Sequence, residues 1–170
     1  MRISKGYWLW GLFPSKEEYF LNEIKAKVQS KLESPFFETH ITIAGPFFNI
    51  DDIFLNKLKN FAKNSPSIVL NICGYDFKQE IFRSFYITVK KSLCLTELRR
   101  NIYELNNFDL GNNYYPHISL SYGNHEIETK KDLISKLPEL NEQIRISKIA
   151  IVEVNEDLNF WKIIESFDLN

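Results

Sequence analysis

Only two cysteines, Cys73 and Cys94, occur in the 170 residues, too few for a disulfide scaffold and without the paired spacing of a metal site. Both are expected to be reduced and mostly buried. Net charge is nearly absent: 21 Lys plus Arg stand against 22 Asp plus Glu. No long-range field therefore draws the chain to duplex nucleic acid, which usually needs a basic face. A small nucleotide or a short oligonucleotide end is the better ligand; long duplex and membranes are not expected partners. No stretch approaches the roughly 20 apolar residues of a membrane span. The apolar run 7–13 behind Met1 to Lys5 is short, lacks a small-residue cleavage site and stops at Pro14, so it predicts a first strand and not a signal peptide. No Gly-, Ser- or Pro-rich linker divides the chain. With 44% hydrophobic and 25% charged residues, these absences leave an ordinary soluble, cytoplasmic, monomeric globular protein, one domain over 1–170.

What the chain does contain is alternating periodicity. After the strand at 7–13, Ser15 with Glu18 reads as a capping box, and Phe20, Ile24 and Val28 recur at helical spacing. An extended run at 38–46 closes at Gly45-Pro46. Asp51 and Asp52 then open a helix carrying Phe54, Leu58 and Phe61, where their carboxylates suit its positive end better than a metal. The plan repeats: a strand over 82–90, a helix marked by Leu95, Leu98, Ile102 and Leu105, and a strand over 115–123. A last helix starts at Thr129 with Asp132 and ends before Pro138. Further strands are expected over 67–77, 145–154 and 160–169. The repetition predicts an internal duplication with halves near 1–78 and 79–170. The expected fold is α+β and bilobal, two antiparallel sheets facing a central cleft with helices outside.

Histidine is the other scarce residue, with three in the chain, and two of them begin nearly the same phrase: His40-Ile41-Thr42 and His117-Ile118-Ser119. Successive side chains of a strand point to opposite faces, so each histidine shares a face with the hydroxyl two residues on, ~6.6 Å away along the strand. Ser and Thr number 18 in the chain, so a given histidine meets a hydroxyl at that position by chance about once in nine. Two imidazoles that titrate near neutrality, each with a hydroxyl beside it, suit acid–base chemistry on a phosphate held between them. The hydroxyls would stabilise charge on the equatorial oxygens. One imidazolium largely offsets the single charge of a phosphodiester. A metal is therefore dispensable, and no cluster of His, Cys, Asp and Glu offers an obvious site for one.

The longer wording, Thr39-His40-Ile41-Thr42-Ile43-Ala44-Gly45-Pro46-Phe47 and Tyr115-Pro116-His117-Ile118-Ser119-Leu120-Ser121-Tyr122-Gly123, resembles the 2H phosphoesterase superfamily. It is most similar to the cyclic phosphodiesterase branch from plants and yeasts, whose first strand Tyr7-Trp8-Leu9-Trp10 and Pro14 also resemble. The resemblance implies a cofactor-free, metal-independent hydrolase that opens a nucleoside 2′,3′-cyclic phosphate or ADP-ribose 1″,2″-cyclic phosphate, leaving the 2′-phosphate (1″ for ADP-ribose). It implies His40 and His117 as the acid–base pair, with His117 the base on water and His40 the acid on the leaving oxygen. It further implies Thr42 and Ser119 on the phosphate oxygens, and Trp10 and Tyr122 in the nucleotide pocket. Two alternatives stay open. One is a 2H enzyme acting on RNA cyclic ends, 2′–5′ oligoadenylate or cyclic oligonucleotide signals. The other is a non-catalytic module that binds a nucleotide or RNA end, although such a binder has no need of two proton-transfer groups.

The remaining candidates read as structural. His125 is expected to be a solvated loop residue, Trp8 to face the core opposite Trp10, and Arg99 and Arg100 to lie on a solvated helix face. Tyr122, an odd number of steps from Ser119, leaves the cleft face unless the strand has already ended.

Overall fold

The computed structural model describes residues 5–107 and 113–170. Within them the chain runs β1 (Gly6–Leu12), α1 (Ser15–Gln29), β2 (Ile41–Phe47), α2 (Asp52–Lys63), β3 (Ile68–Phe77), β4 (Phe85–Val89), α3 (Leu93–Leu105), β5 (His117–Ser121), α4 (Ile127–Ile134), β6 (Gln143–Ile146), β7 (Lys148–Val154) and β8 (Lys162–Asp168). Short 3-10 turns lie at Ile81–Arg83 and Leu158–Phe160. No described helix is long and apolar enough to cross a membrane.

Every strand pair is antiparallel, and the eight strands form one sheet in the order β6-β3-β4-β5-β2-β1-β7-β8. The expected pair of separate sheets is therefore one continuous sheet. Its two four-stranded halves join where β2 meets β5 through a single paired position, Ile41 with Ile118. Each spatial half draws on both sequence stretches: β1 and β2 lie with β7 and β8, and β3 lies with β4, β5 and β6.

One face of the sheet carries the core. Leu9, Ile41, Ile43, Ile118 and Leu120 are buried there with Leu21, Ile24 and Val28 of α1, Phe54 and Leu58 of α2, and Leu95, Leu98 and Ile102 of α3. α1 packs on β5 and α3 on β2, so both histidine strands are backed by helices. On the other face, Trp10, Ala150, Val152 and Val154 form a smaller apolar cluster with Trp8, Leu12 and Trp161.

Local chemistry explains where the elements depart from expectation. α1 starts at Ser15 with Pro14 at its N-cap and no side-chain cap, so the capping box does not form: proline's fixed φ already sets the entry, and Ser15 lies inside the first turn. α4 likewise starts at Ile127, leaving Thr129 in its interior, and ends at Ile134, ahead of Pro138. α2 is capped as expected, Asp51 accepting from the Phe54 N–H at 2.7 Å, and Ser92 caps α3 through the Leu95 N–H at 3.2 Å. The stretch 145–154 is two strands separated at Ser147, whose N–H turns aside to Leu12 O at 2.9 Å. Both cysteines are exposed rather than buried. In β3 the alternation that buries Ile68 and Leu70 turns Val69, Asn71 and Cys73 to solvent.

Candidate active site

The pairing of Ile41 with Ile118 determines the site. Extending that antiparallel register by one residue each way sets His40 opposite Ser119 and Thr42 opposite His117. Ile41 and Ile118 are fully buried on the core side, so the four flanking residues share the other face. Cross-strand neighbours there stand roughly 4.5–5.5 Å apart at Cβ and diagonal ones about 7–8 Å, which puts the two histidines on a diagonal. All four line one cavity of about 350 Å³.

Each imidazole is held by the carbonyl two residues before it. His40 Nδ1 meets Glu38 O at 2.6 Å and His117 Nδ1 meets Tyr115 O at 2.8 Å. A carbonyl only accepts, so Nδ1 carries the proton in both rings and each neutral imidazole keeps an unprotonated Nε2 for chemistry. The Trp10 indole lies flat against His40, ring centres 3.6 Å apart and planes 6° from parallel, and Phe37 approaches it edge-on at 6.5 Å. Behind them the buried Lys25 donates to Phe37 O and to Thr39 Oγ1, and rests on the Phe37 ring. Burial lowers this lysine's pKa to about 8, against the pull of Glu38. On the other side of the diagonal, His117 meets the edge of Tyr86 at 5.3 Å, and the Tyr86 hydroxyl donates to Asp76 at 3.0 Å.

Burial is the main reason that His40 is pushed down to about 3; its bond to the Glu38 carbonyl opposes the shift, and the His117 and Lys25 charges add to it. His117 is lowered as well, first by burial; the Tyr115 carbonyl and Glu80 act against the shift, and Arg83 and Lys78 with it. In the ligand-free protein both rings are neutral at pH 7. For His40 the consequence has a definite sign. The unfolded chain binds its proton near pH 6.5 and the folded chain only near 3, so this contribution to stability is complete above 6.5 and is lost as pH falls toward 3. Between pH 7.5 and 5 the wild type is expected to lose about 2 kcal/mol more than His40→Phe, measured by urea unfolding at each pH. Equal losses would mean that His40 ionises freely in the folded protein.

Trp10 and Tyr122 also line the cavity, but each is packed against a motif residue. Trp10 is 3% exposed, with one face on His40 and Trp161 tilted against it at 5.9 Å. β5 ends at Ser121, so Tyr122 swings back to the cleft; its ring stacks on Phe37 at 4.0 Å. Burial raises the pKa of its hydroxyl to about 12, and the nearby Ser119 side chain acts against that shift. Trp8 is not in the core opposite Trp10: residues two apart on a strand share a face, and both indoles line the cleft. Gly45 gives Trp8 its room, because a Cβ there would stand 2.9 Å from the indole, and its φ of +124° disfavours any other residue.

Two further expectations change. His125 is not a solvated loop residue. Its Nε2 donates to Glu33 O at 2.6 Å and its Nδ1 accepts from the Ser84 hydroxyl at 2.9 Å, tying together three segments. Arg99 is buried with its guanidinium 3.6 Å from the Tyr114 ring, and the Tyr114 hydroxyl donates to Thr42 O at 2.8 Å. Arg100 does lie on the solvated face, beside Glu104 at 3.8 Å.

Sequence reading missed Phe82, Arg83, Tyr114, Tyr115 and Trp161 among the cavity's lining residues. Trp161 follows a 3-10 turn between β7 and β8, donates its indole N–H to Asn155 O at 3.0 Å, and faces Phe82 and Tyr122 across the cleft. No local motif marks it. Tyr115 and Tyr114 stand immediately before the second histidine motif, which is the one signal that pointed toward them. Among the described residues no group of three or more His, Cys, Asp and Glu is gathered as for a metal ion.

The model of the 2′-5′ RNA ligase superfamily matches residues 13–158. Solved structures of similar fold include Escherichia coli LigT complexed with 3′-AMP, 12% identical over 98% of each chain with a TM-score of 0.65. The apo form of E. coli LigT is 13% identical over 98% of each chain, TM-score 0.67. The protein TT0787 of Thermus thermophilus is 13% identical over 99% of this chain and 98% of its own, TM-score 0.62. At these identities the likeness is one of fold. No curated protein matches the sequence.

Proposed function

The chain belongs to the 2′-5′ RNA ligase superfamily, the 2H phosphoesterases, and from that premise we propose that it opens ribose cyclic phosphates, a nucleoside 2′,3′-cyclic phosphate or the 1″,2″-cyclic phosphate of ADP-ribose. Phosphodiesterase chemistry is the property of the superfamily; the cyclic substrate is our reading. The observation that carries it is the diagonal of two histidines, each with a hydroxyl residue across from it, lining one cavity. A five-membered cyclic phosphodiester placed over that diagonal has one imidazole on the side of an attacking water and the other on the side of the ring oxygen opposite it. The neutral ring takes a proton as water attacks phosphorus, the P–O bond in line with it breaks, and the protonated ring gives its proton to the departing oxygen. Thr42 and Ser119 donate to the two non-bridging oxygens as charge builds on them.

We assign His117 as the base and His40 as the acid. The cations Arg83 and Lys78 disfavour a charged His117, with Glu80 acting against them, whereas His40 lies on the π face of Trp10, which favours an imidazolium. That face and the bound phosphate's negative charge act against burial and the Lys25 charge. With these roles, and with the ribose set so that its 3′-oxygen lies beside His40, the 3′-oxygen leaves and a 2′,3′-cyclic nucleotide yields the 2′-monophosphate. In-line geometry couples role to product, so phosphorus NMR of the product tests the assignment, and clean formation of the 3′-isomer would overturn it. Turnover is expected to persist in EDTA, because one imidazolium offsets most of the substrate's single charge. Loss of activity on chelation, restored by Mg²⁺ or Zn²⁺, would contradict the proposal.

A further inference from the structure

Apart from the two histidines, one charged side chain lines the cavity among the described residues, and it is Arg83. It stands on the turn between β3 and β4 with Lys78 and Glu80. Both cations gather on one ring: Lys78 Nζ is 5.2 Å and Arg83 Cζ 5.9 Å from the centre of Tyr115, whose ring lies 6.4 Å from that of His117. Glu80 lies between them, accepting from Arg83 Nε at 2.8 Å and Nη2 at 2.5 Å, and standing 4.0 Å from Lys78 Nζ. Two cations and one carboxylate leave a net positive charge. Only two of the guanidinium's five N–H groups are engaged by Glu80, so the rest remain for an incoming anion.

This turn is also held rigidly. Lys130, on α4 and fully buried, donates through Nζ to Lys78 O and Gln79 Oε1, both at 2.8 Å. Ile81 O accepts from the Gly123 N–H at 2.9 Å, and the Lys78 N–H closes onto Arg83 O at 3.0 Å. A buried lysine is costly unless its charge is satisfied, and here its bonds fix the segment that carries the two rim cations. Preorganised cations bind an anion with little ordering cost. Around the Trp10 end of the cavity, Trp8, Val154 and Trp161 offer apolar surface.

We infer that Arg83 and Lys78, beside Tyr115, form a second anion subsite that takes a phosphate one ribose removed from the reacting one. The inference rests on the cleft's reading as a cyclic phosphodiesterase. It narrows the substrate class to cyclic phosphates whose ribose carries a further phosphate at the 5′ position, either as a terminal monophosphate or as the internucleotide linkage of a short oligonucleotide.

Three substrates separate these sources: adenosine 2′,3′-cyclic phosphate, its 5′-phosphorylated form, and the dinucleotide ApA ending in a 2′,3′-cyclic phosphate. The wild type is expected to favour both extended substrates by about ten-fold in kcat/KM, the size of one charge-assisted contact at a partly exposed site, and added salt should erode the preference. Preference for the 5′-monophosphate alone would assign the subsite to terminal phosphates, and equal preference to any 5′-phosphate. In Arg83→Gln and in Lys78→Gln the ratio of extended to simple substrate should fall toward one. Equal rates on all three substrates in the wild type, or a preference untouched by both substitutions, would overturn the subsite. A binding arm keeps the question separate from the reaction: quenching of the cleft tryptophans by adenosine 2′-monophosphate and by adenosine 2′,5′-bisphosphate. If no cyclic phosphate is turned over, the catalytic reading fails, while tighter binding of the bisphosphate, lost in Arg83→Gln, still supports the subsite. Equal affinities would sink it.

Discussion

His40→Ala and His117→Ala should each lower kcat/KM on a cyclic phosphate by about 10²–10⁴-fold, the range of a positioned acid or base. The double variant should fall little further, since both proton transfers serve one displacement and such losses do not add. His40 is packed between Trp10 and Phe37, so truncation leaves a cavity there. His40→Gln, which fills more of the space, separates a folding defect from a chemical one when thermal unfolding is followed beside the rate. The pH profile carries a second signature. kcat/KM reports the free enzyme, in which burial holds both rings below the ordinary histidine value. The base must be neutral, so the rate climbs as pH rises through its depressed pKa; the acid must be charged, so the rate declines above its own. The bell should therefore peak on the acid side of roughly pH 6.5 and decline about ten-fold per unit beyond it. A flat wild-type profile from about pH 5 to 9, or near-normal turnover in either alanine variant, would remove the pair from the chemistry.

What could be read from the sequence follows the range of the interaction concerned. The strand period is strictly local, so His40 with Thr42 and His117 with Ser119 could be placed on common faces without knowledge of the fold. The same period sets Trp8 beside Trp10 on the cleft face, where the expectation had it facing the core. Tyr122 required the position where β5 stops, and strand ends depend on pairing partners, here β2 and β4, that no local pattern reveals. Trp161 and Val154 reach the cleft because β7 pairs with β1, Trp8 opposite Val152 and Trp10 opposite Ala150. That contact spans most of the chain and leaves no mark near either residue. Continuity of the sheet was hidden in the same way: two repeated strand–helix units are compatible with two sheets or with one, and the pairing of Ile41 with Ile118 decides between them. His125 and Arg99 looked solvated because their partners, Glu33, Ser84 and Tyr114, are distant in sequence or lie on another element.

Loss of either motif hydroxyl should be the next largest effect. Thr42→Ala and Ser119→Ala are expected to reduce kcat by up to about 100- to 1,000-fold, the ~2.7–4 kcal/mol of a lost oxyanion donor. KM should change less, because charge on the equatorial oxygens grows mainly in the transition state. The two positions are not equivalent. Thr42 stands opposite His117 on a strand whose carbonyl at that residue is fixed by Tyr114, so Thr42→Ser, which keeps the hydroxyl, should recover most of the rate. Ser119 stands beside the buried Tyr122 phenol and acts on its pKa, so some of the loss in Ser119→Ala will be structural. Tyr122→Phe separates the two contributions. If Tyr122 orients Ser119, removing its hydroxyl should lower kcat by about ten-fold with KM nearly unchanged, whereas a residue that only stacks on a nucleobase would show its effect in KM. Wild-type kcat in both Thr42→Ala and Ser119→Ala would reduce the hydroxyls to strand residues, and the reacting phosphate would then have to be held by the imidazoles.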